Sequence, residues 1–480
     1  MLINITKINL NPNSGGSVKP VELETKEVTI TENGNTTVTP STGYDGMGKV
    51  TVTTDVPTPK IETNKSISIT ENGEYTVTPS TGYNGIDGVD INVFVSEIGT
   101  TIDFSEIGYT ETDNANANMI IQDGINYAKQ VQAEYTDSKS YAEDENLVYF
   151  PTVDTSNRTT CSSMFKSCGS LQYVPPLTIS NKCTSLNSML MSCGALKSID
   201  VSRWDTSNVT NMGYLFYECS TLKEITGIQN WDVSNVNNMS NIFGYCLALE
   251  NIDLSGWDIT SATNISNMNQ IFLNCNSLIN LNISGWDFSN FTTMPGNFLN
   301  GVSELQTINI TNCNFSTFTS FASFLSGKSK LTEIIGINTI NTSSATSMYR
   351  MFYSCYSLSS LDVSNFNTSN VTNMSAMFSS CRNITALDLS SWDVSNVTDA
   401  GDIFYGCTSL TNFQAPQNIN VNIGFSSCNN LTVDSLLSIL NNLTDRISTT
   451  TLTCTLGSVN LAKLTDEQKA IATNKNWVLN

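Results

Sequence analysis

The sequence predicts a repeat solenoid: an α/β array with a parallel sheet, preceded by small all-β modules and a capping helix. Three observations predict it. A motif of the form W-D-x-S-N-V-T-N-M…F-x-x-C-x-x-L recurs along more than half of the chain. Its successive cysteines from Cys168 to Cys275 lie 25, 26, 27 and 29 residues apart, so each coil places the same side chain at the same point of a stack. The first 95 residues instead carry a duplicated strand-and-turn module.

That module comes first. The N-terminal run Met1–Leu10 alternates apolar and polar residues, which reads as a β-strand rather than as the unbroken apolar stretch of a secretory signal. Val28-Thr29-Ile30-Thr31-Glu32-Asn33-Gly34 recurs as Ile67-Ser68-Ile69-Thr70-Glu71-Asn72-Gly73, an offset of 39, and Thr39 to Tyr44 recurs as Thr78 to Tyr83. Each copy reads strand, Asn-Gly turn, strand, Gly-rich turn, strand, with Asn33-Gly34 closing a hairpin. So short a module has little core and should lean on its neighbour or on another chain. The first strand and first module occupy 1–57 and the second module 58–96, with Pro57-Thr58-Pro59 between them. Residues 97–152 form a helical linker: Ile121, Ile125 and Ala128, flanked by Ile120, Tyr127 and Val131, give an apolar stripe that suits an N-terminal cap.

The solenoid occupies 153–430. In one coil Leu358, Leu361 and Val363 alternate inward along a short strand, and Val371, Met374 and Phe378 at i, i+3, i+7 predict a helical turn or two facing the core. Asp and Ser of W-D-x-S-N hold the intervening turn through local bonds to backbone amides. About ten coils rising roughly 4.8 Å each would span on the order of 50 Å. Residues 431–480 form an α/β C-terminal cap with a capping box, Thr465 to Gln468, and a last strand at Trp477-Val478-Leu479.

Trp392-Asp393-Val394-Ser395-Asn396-Val397-Thr398, Met374-Ser375-Ala376-Met377-Phe378 and Leu387-Asp388-Leu389-Ser390 resemble the BspA-like leucine-rich-repeat family, found in surface proteins of host-associated bacteria and in proteins of their phages. The resemblance covers about 153–430 and implies an α/β leucine-rich-repeat array. Leu461 to Lys475 resembles the closing segment of such proteins in gut phages and gut bacteria, and the duplicated module resembles pieces of phage structural proteins.

Composition narrows the chemistry. The chain of 480 residues holds 22 Lys plus Arg against 43 Asp plus Glu, a formal net charge of -21, which disfavours nucleic acid and anionic lipid as partners. Histidine is absent, removing the commonest general base and zinc ligand. No run approaches the roughly 18 apolar residues that span a bilayer, so no membrane insertion is expected. Thirteen cysteines first suggest disulfides or metal. Eight of them, Cys168, Cys193, Cys219, Cys246, Cys275, Cys355, Cys381 and Cys407, share one slot three residues after a phenylalanine (Leu190 in one coil), and so read as a reduced structural column in the core. Asp205, Asp232, Asp258, Asp287 and Asp393 form a second column; turn capping explains it better than calcium, which wants Gly-rich ligand loops. Tyr217, Tyr353 and Tyr405 directly follow the phenylalanine, with Tyr245 one position further on, and are the candidate ligand-contact residues, set against simple coverage of the solenoid flank. Coils around 286–334 depart from the pattern: Gly301 and Gly327 fall in the cysteine slot, and seven phenylalanines from Phe288 to Phe324 crowd the segment as replacement bulk or a contact surface.

No catalytic residue, metal ligand or cofactor is expected. The resemblance and the unexported-looking N-terminus imply a non-catalytic virion structural protein of fibre, spike or adhesin type. It would assemble in the host cytoplasm, attach to other virion proteins through residues 1–95 and present its solenoid to a host-surface glycan or protein. Analogy with phage fibres admits a homotrimer, though no sequence feature demands three chains. The alternative is a bacterial cell-surface adhesin or scaffold of the same repeat family. A glycan-cleaving enzyme would need an isolated carboxylate pair, and the aspartates here are periodic.

Overall fold

The structure is a computed structural model that describes residues 114–446 and 450–480 continuously, together with nine strands between Leu2 and Val93. Two compact units divide the chain, Met1–Glu134 and Tyr135–Asn480.

In the first unit the strands are β1 Leu2–Thr6, β2 Leu23–Ile30, β3 Asn35–Val38, β4 Gly46–Thr54, β5 Ile61–Glu62, β6 Lys65–Ile69, β7 Glu74–Val77, β8 Gly85–Ile86 and β9 Val89–Val93. The offset of 39 reappears as topology. β2 pairs parallel with β4, as β6 does with β9, and the antiparallel contact of β4 with β9 joins the two copies in one sheet ordered β2-β4-β9-β6. A second sheet, β3-β1-β7, takes one strand from each copy around the N-terminal strand. The hairpin expected at Asn33-Gly34 does not form, because β2 and β3 enter different sheets. The turn residues themselves, like the Thr-Pro-Ser-Thr-Gly-Tyr runs, lie outside the described residues. Helix α1, Asn114–Ala133, follows, with Ala128 and Val131 buried.

In the second unit stacking begins ahead of residue 153: Tyr141 N–H donates to Met164 O and Phe150 N–H to Tyr173 O. Three-residue strands then recur at β10 Ser198–Asp200, β11 Glu224–Thr226, β12 Asn251–Asp253, β13 Asn280–Asn282, β14 Thr307–Asn309, β15 Glu333–Ile335, β16 Ala386–Asp388 and β17 Asn412–Gln414. All their pairings are parallel, and the middle residue (Ile199, Ile252, Leu281 or Ile308, for example) points into the core while its neighbours face out. At 359–361 no strand forms and Leu361 is half-exposed, although Thr385 N–H still reaches Ser359 O at 3.4 Å. The stack closes with β18 Ile423–Gly424, α2 Val433–Asn442, β19 Leu452–Thr455, α3 Ser458–Leu461, α4 Asp466–Thr473 and β20 Trp477–Leu479. Thr465 and Gln468 form the reciprocal capping box of α4. Lys475 Nζ donates to the Leu440, Asn441 and Leu443 carbonyls, satisfying groups that the end of α2 leaves open.

The expected helical turn is not helical. Val371, Met374 and Phe378 are buried, but the segment is a run of tight turns. Met374, Ala376, Phe378 and Ser380 donate their N–H groups to Asp399, Gly401, Ile403 and Tyr405 of the next coil, while Met377, Ser379 and Cys381 bond three residues back within their own. Alternation of this kind needs peptide planes that flip, and left-handed residues at Ala376 (φ 53°) and Ser380 (φ 65°) supply it. The same two positions are left-handed in coil after coil, for instance Tyr214 with Glu218 and Asn241 with Tyr245. A left-handed non-glycine costs about 1–2 kcal/mol, and a paired backbone amide returns roughly 1 kcal/mol. The turn is therefore held by the stack and not by its own preference.

Gly336 is among the glycines that the stacking requires, as Gly227 is. Gly336 has φ 85°, and a Cβ there would lie 2.5 Å from Thr311 Cα in the preceding coil. Gly336→Ala should lower the unfolding free energy by about 2–5 kcal/mol, the left-handed penalty plus an overpacked backbone contact. Gly169→Ala, whose added Cβ meets nothing within 4 Å, should be neutral. Equal denaturation midpoints for the two variants would contradict this.

Candidate functional site

The outer face of the tight turns carries the sequence-predicted tyrosines, and the inner face carries the cysteine column. All thirteen cysteines are free and buried. The eight of the column share one bonding pattern. Cys246 Sγ donates to Phe216 O at 3.2 Å, and the same carbonyl accepts the N–H of Cys219 in its own coil. Cys193, Cys219, Cys275, Cys355, Cys381 and Cys407 repeat the step to Phe165, Leu190, Phe243, Leu325, Phe352 and Phe378, and Cys168 begins it on Tyr141 O. Each thiol is thus a small core group that also donates to the coil before it. Burial pushes Cys219, Cys275, Cys355 and Cys407 up to about 12, and Cys193, Cys246 and Cys381 well upward too, so all stay protonated at neutral pH. Tryptophans use the same scheme one corner away, where Trp257 Nε1 reaches Ile228 O at 3.0 Å and Trp286 Nε1 reaches Leu254 O at 2.8 Å.

Gly301 and Gly327 do not occupy the cysteine slot. The register of the strands and the bonds Val302 N–H to Leu299 O and Lys328 N–H to Leu325 O place Val302 and Lys328 there. The two glycines fill the left-handed position just before it, at φ 77° and 75°. Phe298-Leu299 and Phe324-Leu325 reverse the aliphatic–phenylalanine order of Ile271-Phe272 and Met351-Phe352, which shifts the apparent slot by one. The phenylalanines of this segment are buried and interlock ring on ring, with Phe288–Phe315 stacked at 5.1 Å and Phe315–Phe318 edge-on at 5.0 Å. They are core and not a contact surface.

Lys328 is a lysine in a thiol's place. It is 8% exposed, and its Nζ donates to Leu299 O at 2.8 Å, the bond a cysteine would otherwise make. Burial pushes it down from 10.5 to about 8. With a folded value below the unfolded one, its charge penalty is fully present below about pH 8 and fades as the pH rises toward 10.5. Lys328→Met should therefore be more stable than the parent near pH 7, by on the order of 3 kcal/mol. The advantage should shrink at about pH 9.5. Paired denaturation curves at the two pH values check it, and a gap independent of pH would refute it.

The aspartate column caps turns. Asp205 and Asp232 accept the N–H and hydroxyl of Ser207 and Ser234. Asp258 accepts both groups from Thr260, and Asp287 and Asp393 accept the N–H of Ser289 and Ser395. These bonds hold Asp258 and Asp393 below the usual carboxylate range. Among the described residues no group of three or more Cys, Asp or Glu could hold a metal ion.

The four candidate tyrosines do not form one stripe. Tyr217 and Tyr245 meet edge-on at 5.4 Å, and Tyr214, which the sequence reading missed, extends the pair, also at 5.4 Å from Tyr217. Gly244 makes room: a Cβ there would lie 2.9 Å from the Tyr217 ring. Burial, then the Glu218 carboxylate, raises the Tyr217 hydroxyl above its ordinary value, so it stays a donor. Tyr353 lies elsewhere, under the Arg350 guanidinium, which also covers Tyr349 at the same 4.9 Å. Arg382 sits 4.6 Å over Tyr356. Tyr405 stands two coils beyond Tyr353 and is 59% exposed. Tyr214 and Arg350 both occupy the first left-handed position of their turns, a slot otherwise held by Ser, Asn, Gln, Ala or Asp.

The chain matches the family model described as a Mycoplasma protein of unknown function, DUF285, over residues 184–312 and again over 296–418. Among solved structures it is similar to a leucine-rich repeat protein from Bacteroides ovatus, at 16% identity over 71% of this chain and 86% of that one, with a TM-score of 0.25. A leucine rich cell surface protein from Faecalibacterium prausnitzii aligns at 16% identity over 56% and 76%, TM-score 0.22. A leucine-rich repeat protein from Eubacterium ventriosum aligns at 14% over 54% and 78%, TM-score 0.21. The chain is a solenoid of stacked repeats with parallel strands. No curated protein matches it. No helix among the described residues is long and apolar enough to cross a membrane.

Proposed function

We propose that the leucine-rich-repeat solenoid is a non-catalytic surface-displayed binding module that holds a host-surface glycan or protein on the outer edge of its turns. The observation that carries this is the Tyr214–Tyr217–Tyr245 cluster on adjacent coils, three rings on an edge whose other outward positions are mostly small and polar. Partly exposed rings with hydroxyl tips suit packing on sugar rings or on a partner's side chains. A net charge of -21 favours a neutral glycan or a cationic protein over an anionic one. Support for the absence of catalysis comes from the titratable columns, since the aspartates are spent on turns and the column thiols are buried and protonated.

We place the display on a virion, anchored through residues 1–95, on the resemblance of residues 28–44 and 67–83 to phage structural modules. The resemblance of 153–430 to bacterial surface proteins supports the bacterial envelope as the second reading. Mass spectrometry of purified virions and of washed bacterial envelopes separates them: the chain is expected in the virions, and recovery from envelopes alone would transfer the module to the cell surface. Binding of the labelled chain to intact host cells tests the module itself. Saturable binding is expected, and none on either host or bacterial cells would remove the proposal.

A further inference from the structure

One coil departs from the repeat at several surface positions at once. Tyr349, Arg350 and Tyr353 fall where the coils before and after carry only serine or alanine, an alignment fixed by the bonds Ser323 N–H to Tyr349 O and Arg350 N–H to Ser375 O. Nothing bulky therefore covers them from either side. Just past the cysteine slot the same coil carries Tyr356, and the next coil carries Arg382 at the matching position. The Arg350 guanidinium lies 4.9 Å over each of the Tyr349 and Tyr353 rings, and Arg382 lies 4.6 Å over Tyr356. Both arginines and Tyr356 are exposed. They are also the only basic residues between Lys330 and Arg446. Among the described residues neither guanidinium forms an ion pair or donates a hydrogen bond. Arg158 and Arg446, by contrast, spend their donors on backbone carbonyls. The nearby carboxylates are engaged elsewhere, Asp362 with Ser364 and Asp388 with Ser390.

We propose that Tyr349, Arg350, Tyr353, Tyr356 and Arg382 form a binding site for a carboxylate-bearing glycan, separate from the Tyr214–Tyr217–Tyr245 cluster several coils earlier. Stacking on tyrosine occupies the face of a guanidinium and leaves its N–H edge free, the geometry that takes a carboxylate through two parallel bonds. The tyrosine rings and hydroxyls beside it suit the apolar faces and hydroxyls of the sugar that carries the carboxylate. An acidic peptide is the poorer fit. Extended peptides gain affinity from main-chain bonds at an open edge. Here the amides of Arg350, Phe352 and Ser354 are already spent on Ser375, Met377 and Ser379 of the next coil. Recognition must come from side chains alone. The net charge of -21 does not exclude an anion at this point. At physiological ionic strength charges beyond about 8 Å are largely screened, whereas a guanidinium in contact is not. The site does not depend on what the earlier tyrosine cluster binds.

The test is a titration of the full chain, in about 0.15 M salt, with oligosaccharides of glucuronate, of galacturonate and of sialate, each beside its carboxyl methyl ester. Saturable binding of at least one acid form is expected, weakened about tenfold or more by esterification. Arg350→Ala/Arg382→Ala should lose about tenfold or more in affinity and keep the parent's melting temperature, since both side chains are exposed. Arg350→Lys, which keeps the charge without the paired donors, should bind between the parent and that variant. Tyr217→Ala/Tyr245→Ala should bind the acid probe as the parent does, which separates this site from the earlier cluster. No saturable binding of any acid probe, equal binding of acid and ester, or unchanged binding by the double arginine variant would overturn the proposal. So would tighter binding of a poly-glutamate peptide, the mark of an acidic protein partner.

Discussion

Raising the pH from about 8 to about 11 is expected to unfold the solenoid steeply, because the thiol column must stay protonated to stay buried. The sign follows from the shifts. Burial raises the folded values of the eight column cysteines above the ordinary 9.0, several of them to about 12, so their contribution is intact below pH 9 and is lost as the pH climbs toward 12. Each thiol costs about 1.4 kcal/mol per pH unit in that window. Eight together would exceed about 10 kcal/mol per unit, comparable with the whole stability of an ordinary domain. Circular dichroism during an alkaline titration gives the midpoint, and replacing Cys219 and Cys246 with alanine or valine should move it to higher pH. A parent chain still folded at about pH 11 would refute the role assigned to the column.

The second large effect is expected at Trp286. Its side chain is fully buried, stacks on Trp257 at 6.2 Å with planes 6° apart and meets the Phe298 ring at 6.2 Å. Trp286→Ala should cost about 3–5 kcal/mol, mostly as an unfilled cavity. Leu254 O would keep the N–H of Trp257, so no buried acceptor is orphaned. Trp204 offers the contrast, since its Nε1 is buried without a hydrogen-bond partner. Trp204→Phe should therefore cost less than Trp286→Phe in thermal denaturation. The reverse order would show that these indole bonds contribute nothing.

The period was plain in the sequence because each coil must bury the same residues in the same place, and cysteine has few other uses in a protein core. The shape of the turn was not. Val371, Met374 and Phe378 have helical spacing, yet Ala376 and Ser380 are left-handed, a conformation set by bonds to the next coil that local preference does not favour. Spacing alone hides Lys328 for a related reason. Exchanging the order within Phe324-Leu325 moves the visible phenylalanine by one place, so its spacing points to Gly327 instead of Lys328. Asn33-Gly34 suggested a hairpin because a dipeptide reports a turn and not which sheet the next strand joins. The candidate site was half legible. Tyr217 and Tyr245 were visible by their distance from phenylalanine, whereas Tyr214 and Arg350 face outward through left-handed backbone that no spacing rule shows.

In this division of labour the repeating columns hold the stack and binding belongs to outward residues that do not repeat. The most direct test is glycan-array and solution binding of the intact chain beside Tyr217→Ala/Tyr245→Ala, with Tyr405→Ala as the distant control. The double variant should keep its circular dichroism and melting temperature and lose about tenfold or more in affinity, as expected for two stacking rings worth roughly 0.5–1.5 kcal/mol each. Tyr405→Ala should bind as the parent does. Unchanged affinity in the double variant, with ligand still bound, would contradict the assignment of function to this edge.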